Sequence, residues 1–367
     1  MRSPARPALR TARLHRCTLN DRSTWTVVSL TDDEGTVGLG ECSDGFPVEA
    51  GHHVLSVVWP ASPDLLDGVF DRAMAGGGRL AERTMASGLL AAWEDLQARR
   101  SGLPLHTWLG GSGSPVRTYA NINRGTLDRT PEGFAAQATA AVGAGFAAVK
   151  LAPFDGPADL DLDQRVDTGV QCLRAVRDAV GPDVDVMLDV HEHLPLERVL
   201  ALAPALREVG LRWLEDAAPI GAVDALLQIK RAVDCPLAGG ERVGDYAELS
   251  PAVRAGAVDV VMPDVKHAGG AHHVLQLVER LLDAGTEVSL HNPTGPVATA
   301  TSGHVLSALG TGTLEVMVGE PGQRARTVRP AEELSGTWTP APVPGVGVDL
   351  DPRHWTTVAE LHWNGAS

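Results

Sequence analysis

The sequence predicts a (β/α)8-type barrel preceded by a small α+β domain, and three observations carry that expectation. From residue 118 onward, strand and helix patterns alternate until eight strands have been counted over roughly 200 residues, the length a closed parallel barrel needs. Three consecutive strands end in a carboxylate at equal intervals: Asp189 closes VDVMLD, Glu215 closes LRWLE and Glu241 follows CPLAGG, each 26 residues after the last. The residues before 116 lack this rhythm and read as antiparallel strands followed by one long helix.

The first domain opens with strands over 11–18 (TARLHRCT) and 24–31 (TWTVVSLT) around the short turn NDRS, with VGLGEC as a third strand. Gly35, Gly38 and Gly40 mark tight backbone there. From Leu80 the period changes. Met85, Leu89, Ala92, Trp93 and Leu96 recur at spacings of three and four, making one apolar stripe that belongs in a core. That helix stops before SGLPLHTWLGG, where Gly and Pro end it.

TYANIN then opens the barrel, and TPEGFAAQATAAVGAG is a helix with Thr130 as cap and Pro131 at its first position. Strand FAAVKLA follows. Further helices are expected over 164–180, 196–208, 222–232, 245–255, 270–284 and 296–308. Further strands are expected over 184–189, 211–215, 235–239, 258–263, 286–291 and 313–318. Alternation alone also fits a doubly wound sheet; acids converging from three consecutive strands select the closed barrel. The expected division is a capping domain over 1–115, a barrel over 116–337, and a Pro/Gly-rich tail over 338–367 that wraps back to complete the cap.

Carboxylates brought to one point of a barrel rim repel each other unless a hard cation such as Mg²⁺ lies between them. Asp189, Glu215 and Glu241 are therefore the candidate metal ligands.

Composition narrows the partners. The chain has 367 residues, 44% of them hydrophobic, and no apolar run long enough to span a bilayer. Its formal net charge of −15 disfavours nucleic acid and anionic membrane. The start, MRSPARPALRTARLHR, is basic but has no apolar segment of a secretory signal and no amphipathic order of a transit peptide. Cys17, Cys42, Cys172 and Cys235 are dispersed, which indicates neither a disulfide framework nor zinc and suits a reducing cytoplasm.

Taken together, LLAAWEDLQARRSGLPLHTWLGG, FAAVKLA, the three acids, MPDVKHAGG, LHNPTGP and PGVGVDL resemble the enolase superfamily. Within it the chain is most similar to the mandelate racemase subgroup and its galactonate-dehydratase-like members, which show DVH after the third strand, PDxxHAGG after the sixth and HxPxGP after the seventh. The resemblance covers nearly the whole chain. It implies an enolase-like barrel with a capping domain, Mg²⁺ on the three acids, a sugar-acid substrate and a symmetric homo-oligomer, dimer or octamer. The chemistry it implies is removal of the proton alpha to a carboxylate, with the resulting enediolate held by the cation.

Asp264 and His291 end neighbouring strands, so the carboxylate fixes the tautomer and raises the basicity of an imidazole that serves as base. His191, two residues beyond Asp189, shares its side of an extended segment and is the candidate acid; His193 has the same parity farther out. Lys150 is expected to bind the substrate carboxylate. Related racemases carry a second lysine two positions later, where this chain has Ala152, which favours elimination over racemisation. Glu315 takes the place of a glutamate that hydrogen-bonds the substrate carboxylate, with Glu320 as its rival. His267 has no settled role, Lys266 is expected in solvent, Asn121, Asn123 and Arg124 are candidates for polyol hydroxyls, and Phe46 and Pro47 either roof the pocket or simply pack. The preferred expectation is a Mg²⁺-dependent sugar-acid dehydratase. A racemase or epimerase on the same enediolate and a non-catalytic sugar-acid-binding protein are the alternatives.

Overall fold

The computed structural model describes residues 8–155, 161–320 and 322–363; the first residues of the basic start and the end of the tail lie outside them. The cap begins with an antiparallel meander of β1 (Leu9–Asn20), β2 (Ser23–Asp32) and β3 (Val37–Glu41). Two short helices, α1 (Gly51–Val58) and α2 (Val69–Ala75), lead into the long α3 (Leu80–Arg100) and α4 (Leu105–Trp108). Helices α1 and α2 carry too few turns for their periodicity to stand out in the sequence.

Helix α3 lies directly on the sheet because glycines let the backbones meet. A Cβ on Gly40 would sit 2.0 Å from the Gly88 carbonyl, and one on Gly38 would sit 2.0 Å from that of Ala92. Gly40→Ala is therefore expected to cost about 1–3 kcal/mol, because strain of that kind is relieved only by parting packed elements. An unchanged melting temperature would refute this. The expected stripe of Met85, Leu89, Ala92, Trp93 and Leu96 forms the cap core. The opposite face of α3 is buried too, and it is polar. Ser87 Oγ accepts from the Gly269 amide at 2.9 Å, and the Glu94 carboxylate accepts from Ala271 and His272 at 2.7 and 3.0 Å. Helix α3 is thus the joint between cap and barrel, which a single apolar stripe does not reveal.

Eight parallel strands build the barrel: β4 (Val116–Asn121), β5 (Ala148–Leu151), β6 (Asp185–Asp189), β7 (Trp213–Glu215), β8 (Leu237–Gly239), β9 (Val260–Val261), β10 (Glu287–Leu290) and β11 (Thr313–Met317). Strand β11 pairs with β4 from Thr313↔Arg117 to Met317↔Asn121 and closes the ring. The crossovers are α5 (Pro131–Gly143), α6 (Leu162–Val180), α7 (Leu196–Ala201) with α8 (Ala203–Val209), α9 (Val223–Ala232), α10 (Tyr246–Arg254), α11 (Gly270–Asp283) and α12 (Pro296–Leu309). Thr130 caps α5 as expected, its hydroxyl accepting from Gly133 N at 3.1 Å. The single helix expected over 196–208 is two, because Pro204 has no N–H and crowds the carbonyl four residues earlier. Inward-facing Tyr119, Met187, Trp213, Ala238, Val260 and Met262 fill the barrel interior, a packed floor beneath the rim.

The tail adds β12 (Val328–Arg329), β13 (Thr337–Trp338), β14 (Asp349–Leu350) and β15 (Thr356–His362). Strand β13 pairs antiparallel with β4, so the expected boundary at 337/338 passes through a strand of the barrel sheet. Strand β15 pairs with β1 and completes the cap sheet.

A half-buried histidine and a fully buried one tie stability to pH. Burial lowers His15 in β1 to about 4 and His304 in α12, beside Trp338, to about 3. An unfolded histidine titrates near ~6.5. Between pH 6.5 and about 4 the unfolded chain therefore binds more protons than the folded one, and stability falls as pH drops through that window. The melting temperature is expected to decline over this range, with a shallower slope in His304→Gln. An equal slope would remove His304 from the account.

Candidate active site at the barrel rim

The strand register brings the charged residues together. Asp189 pairs with Glu215 across β6 and β7, and Asn121 pairs with Lys150 across β4 and β5. All stand at C-terminal strand ends, where the ladder stops and side chains converge on the rim. The Lys150 ammonium sits 2.8 Å from Glu315 and 3.4 Å from Asp189, and also bonds Glu215. Burial alone would lower its pKa; Glu215, Glu315 and Asp189 outweigh that and hold it well above the ordinary lysine value.

Glu215 takes a second bond from Trp213 Nε1 at 3.0 Å. Burial and then repulsion from Asp189 push its carboxyl well above the usual range, outweighing Lys150. Glu241 lies on the far side, 2.8 Å from His291 Nε2, which lowers it to about 2 against the effect of burial. The donor set fits a hard divalent cation: three buried carboxylates feel one another's charge, and Lys150, His191 and His291 balance them. Their oxygens are turned onto those cations, and they do not form a cluster as tight as the one Asp155 makes with two histidines.

His291 Nδ1 lies 2.7 Å from Asp264 Oδ2. Burial works against protonation, but Glu241 and Asp264 hold the ring well above 6.5. Asp264 also meets the Lys266 amide at 2.7 Å and its ammonium at 2.5 Å. Lys266 is therefore fully buried and not solvated as expected. A turn through Asp264, closed by His267 N and Ala268 N on its carbonyl, folds the lysine inward.

His191 also departs from the expected extended geometry. It and Glu192 adopt left-handed conformations, φ 48° and 55°, so the strand ends at Asp189 and the chain turns. His191 still reaches the rim, with Nε2 3.0 Å from Asp189 and Nδ1 2.8 Å from Asp155. Burial lowers its pKa, but Asp189 and Asp155 outweigh that and raise it to about 11, so the ring is an imidazolium.

These groups face a cavity of about 540 Å³. Lys150, Asp189, His191, Glu241 and His291 line it, with Asn121, Asn123, Arg124 and His267. Glu215, Asp264 and Glu315 lie just behind the wall. Glu315 bonds Lys150, the Asn121 amide at 2.6 Å and Asn292 N at 2.9 Å, so it holds Lys150 and Asn121 and does not itself face the cavity. Its rival Glu320 bonds Ser23 and Arg324 away from this site. His267 is buried, and its Nδ1 meets Thr84 Oγ1 at 2.8 Å; that hydroxyl donates to Leu80 O, so the ring donates to it. Phe46 packs into the cap core, and the cap residue that reaches the cavity is Asp44, paired with Arg124 at 3.1 Å. A larger groove of about 640 Å³ beside α5 is lined by Glu320 and Arg324 but by none of the proposed metal ligands, Lys150 or the rim histidines.

Sequence reading missed Asp155, Asp216 and Arg242, the last of which lines the cavity, and misplaced Lys266. Asp216 follows Glu215 in a left-handed conformation with its carboxylate over Gly239, where any Cβ would lie 2.8 Å from Oδ1. An acid next to a strand-end glutamate was the available signal. Asp155 stands in a loop after β5, the side of a barrel on which sites form, and that position alone was a pointer.

A barrel with acids from consecutive strands beside a His–Asp pair defines a class of proteins, and comparison bears that out. Residues 133–354 match the family described as enolase C-terminal domain-like, of mandelate racemase/muconate lactonizing enzyme type, and the chain belongs to it. It is 25% identical over 350 residues to the D-galactarolactone cycloisomerase of Agrobacterium fabrum, covering 90% of each chain. It is also 25% identical over 353 residues to the D-galactonate dehydratase of Verminephrobacter eiseniae, covering 89% of each. A solved structure of an enolase superfamily member from Salmonella Typhimurium shares the fold, with a TM-score of 0.83, 23% identity, and coverage of 95% of this chain and 100% of that one. No helix among the described residues is long and apolar enough to cross a membrane.

Proposed function

We propose that this chain is a Mg²⁺-dependent dehydratase of an aldonic or aldaric acid, giving a 2-keto-3-deoxy acid. The observation that carries the reading is the placement of two histidines with different carboxylate partners around one cavity. His291 is buttressed by Asp264, and His191 is held as an imidazolium beside Asp189. His291 Nε2 takes the α-proton, and His191 protonates the departing 3-hydroxyl, a division between base and acid that elimination requires. Asp189, Glu215 and Glu241 would hold the cation, which supplies charge stabilisation for the enediolate. Lys150 contributes its positive charge to the substrate carboxylate, positioned by Glu315. Asn121, Asn123 and Arg124 meet polyol hydroxyls. The family and the dehydratase among its relatives support a hydro-lyase of mandelate racemase/muconate lactonizing type.

The similarity to a cycloisomerase favours a second reading, in which the same enediolate is reprotonated or rearranged. Lys150 weighs against its racemase form, because an ammonium held by three carboxylates is an electrophile and not a second base. Incubating the chain with Mg²⁺ and a panel of aldonic and aldaric acids in D₂O separates the two. Keto-acid formation supports dehydration; α-deuteration with no keto acid overturns it.

A further inference from the structure

We infer that Asp155, His191 and His193 form a second cation site, for a transition metal of the zinc type, on the edge of the same cavity. Among the described residues, theirs is the group of three whose ligand atoms all lie within 4.8 Å of one another. His191 Nδ1 and His193 Nδ1 approach the same oxygen, Asp155 Oδ1, at 2.8 and 3.1 Å. Tetrahedral zinc, with bonds of ~2.0–2.2 Å, sets its ligand atoms ~3.3–3.5 Å apart, so the two histidine–carboxylate separations need widen by only a few tenths of an ångström.

The local backbone produces this convergence. On a strand, the two histidines of an HxH sequence would stand apart by the rise of two residues, roughly 6.5 Å. The left-handed turn at His191 and Glu192, pinned by Glu192 N on Asp216 O at 2.8 Å and His193 N on Val190 O at 2.9 Å, swings both rings onto one side. Asn123 donates to Asp155 Oδ2 at 2.9 Å, which orients the carboxylate and leaves Oδ1 for the histidines. Asp155 is partly buried and His193 about half exposed, so the site opens to solvent and has room for a water as fourth ligand.

Imidazole nitrogens select zinc, nickel or cobalt over Mg²⁺, whereas the carboxylates deeper on the rim suit the harder ion. The two sites therefore differ in chemistry as well as place. Occupation would put the metal on His191 Nδ1, releasing to solvent the proton that this nitrogen shares with Asp155, and would take the ring out of proton transfer. On the dehydratase reading, zinc is then an inhibitor that Mg²⁺ does not displace.

The test uses the full, tag-free chain saturated with Mg²⁺ and titrated with Zn²⁺ by calorimetry, and with Co²⁺ by its visible d–d absorption. The wild type is expected to bind one such ion per chain, with a tetrahedral cobalt spectrum, and His193→Ala and Asp155→Asn to weaken it at least tenfold. Circular dichroism of each variant checks its fold. Absence of binding in the wild type, or equal binding in a folded His193→Ala, overturns the site. If zinc binds through His193 yet leaves keto-acid formation untouched, the metal site stands and the acid role of His191 falls.

Discussion

Replacing His291 by asparagine is expected to abolish both keto-acid formation and exchange of the substrate α-proton with solvent deuterium. Its Nδ1 is committed to Asp264 at 2.7 Å, and Nε2, which meets Glu241 at 2.8 Å, becomes the nitrogen for the substrate once Glu241 turns to the cation. Asparagine keeps a polar group there but cannot accept and carry a proton. Loss of such a group costs on the order of 10²–10⁴-fold in rate. His191→Asn is expected to lose dehydration to a similar degree while exchange with solvent persists, because the enediolate still forms and collapses back. This split distinguishes an acid from a merely structural residue, whose loss would lower both together. Deuterium exchange that survives in His291→Asn would transfer the base role to Lys150 and favour the epimerase reading. Normal dehydration by His191→Asn, with loss in His193→Asn or His267→Asn, would reassign the acid.

Chelation and removal of the rim acids form the second large effect. EDTA is expected to abolish activity, and Asp189→Asn, Glu215→Gln and Glu241→Gln each to lose activity together with Mg²⁺ affinity. Each change removes a charged oxygen from a cation that prefers such ligands. Activity alone is a poor witness for Glu241, because that residue also contacts His291 at 2.8 Å. The decisive readout is the melting temperature. A cation that binds only the folded chain stabilises it by about 2.7 kcal/mol at a hundred times its Kd, and the variants should lose that increment. Full activity in EDTA would end the metal reading.

The sequence by itself determined the barrel, the order of its strands and the acids at their ends. Those features follow from local periodicity and from the rule that sites form where parallel strands stop. It also placed Asp264 and His291 as neighbours, because adjacent strands of a barrel have adjacent ends. Tertiary structure decided everything that depends on side chains meeting across unrelated segments. The polar face of α3 is buried because Ser87 and Glu94 serve amides of the barrel, a partnership no helical pattern announces. Lys266 points inward because a turn through Asp264 folds it there, although a lysine beside a histidine in a loop reads as solvated. His191 and His193 converge on Asp155 through two left-handed residues that carry side chains, where sequence reasoning expects an extended strand end. Backbone conformations at non-glycine residues and charge pairs between distant loops are set by the global packing, and only the folded chain displays them.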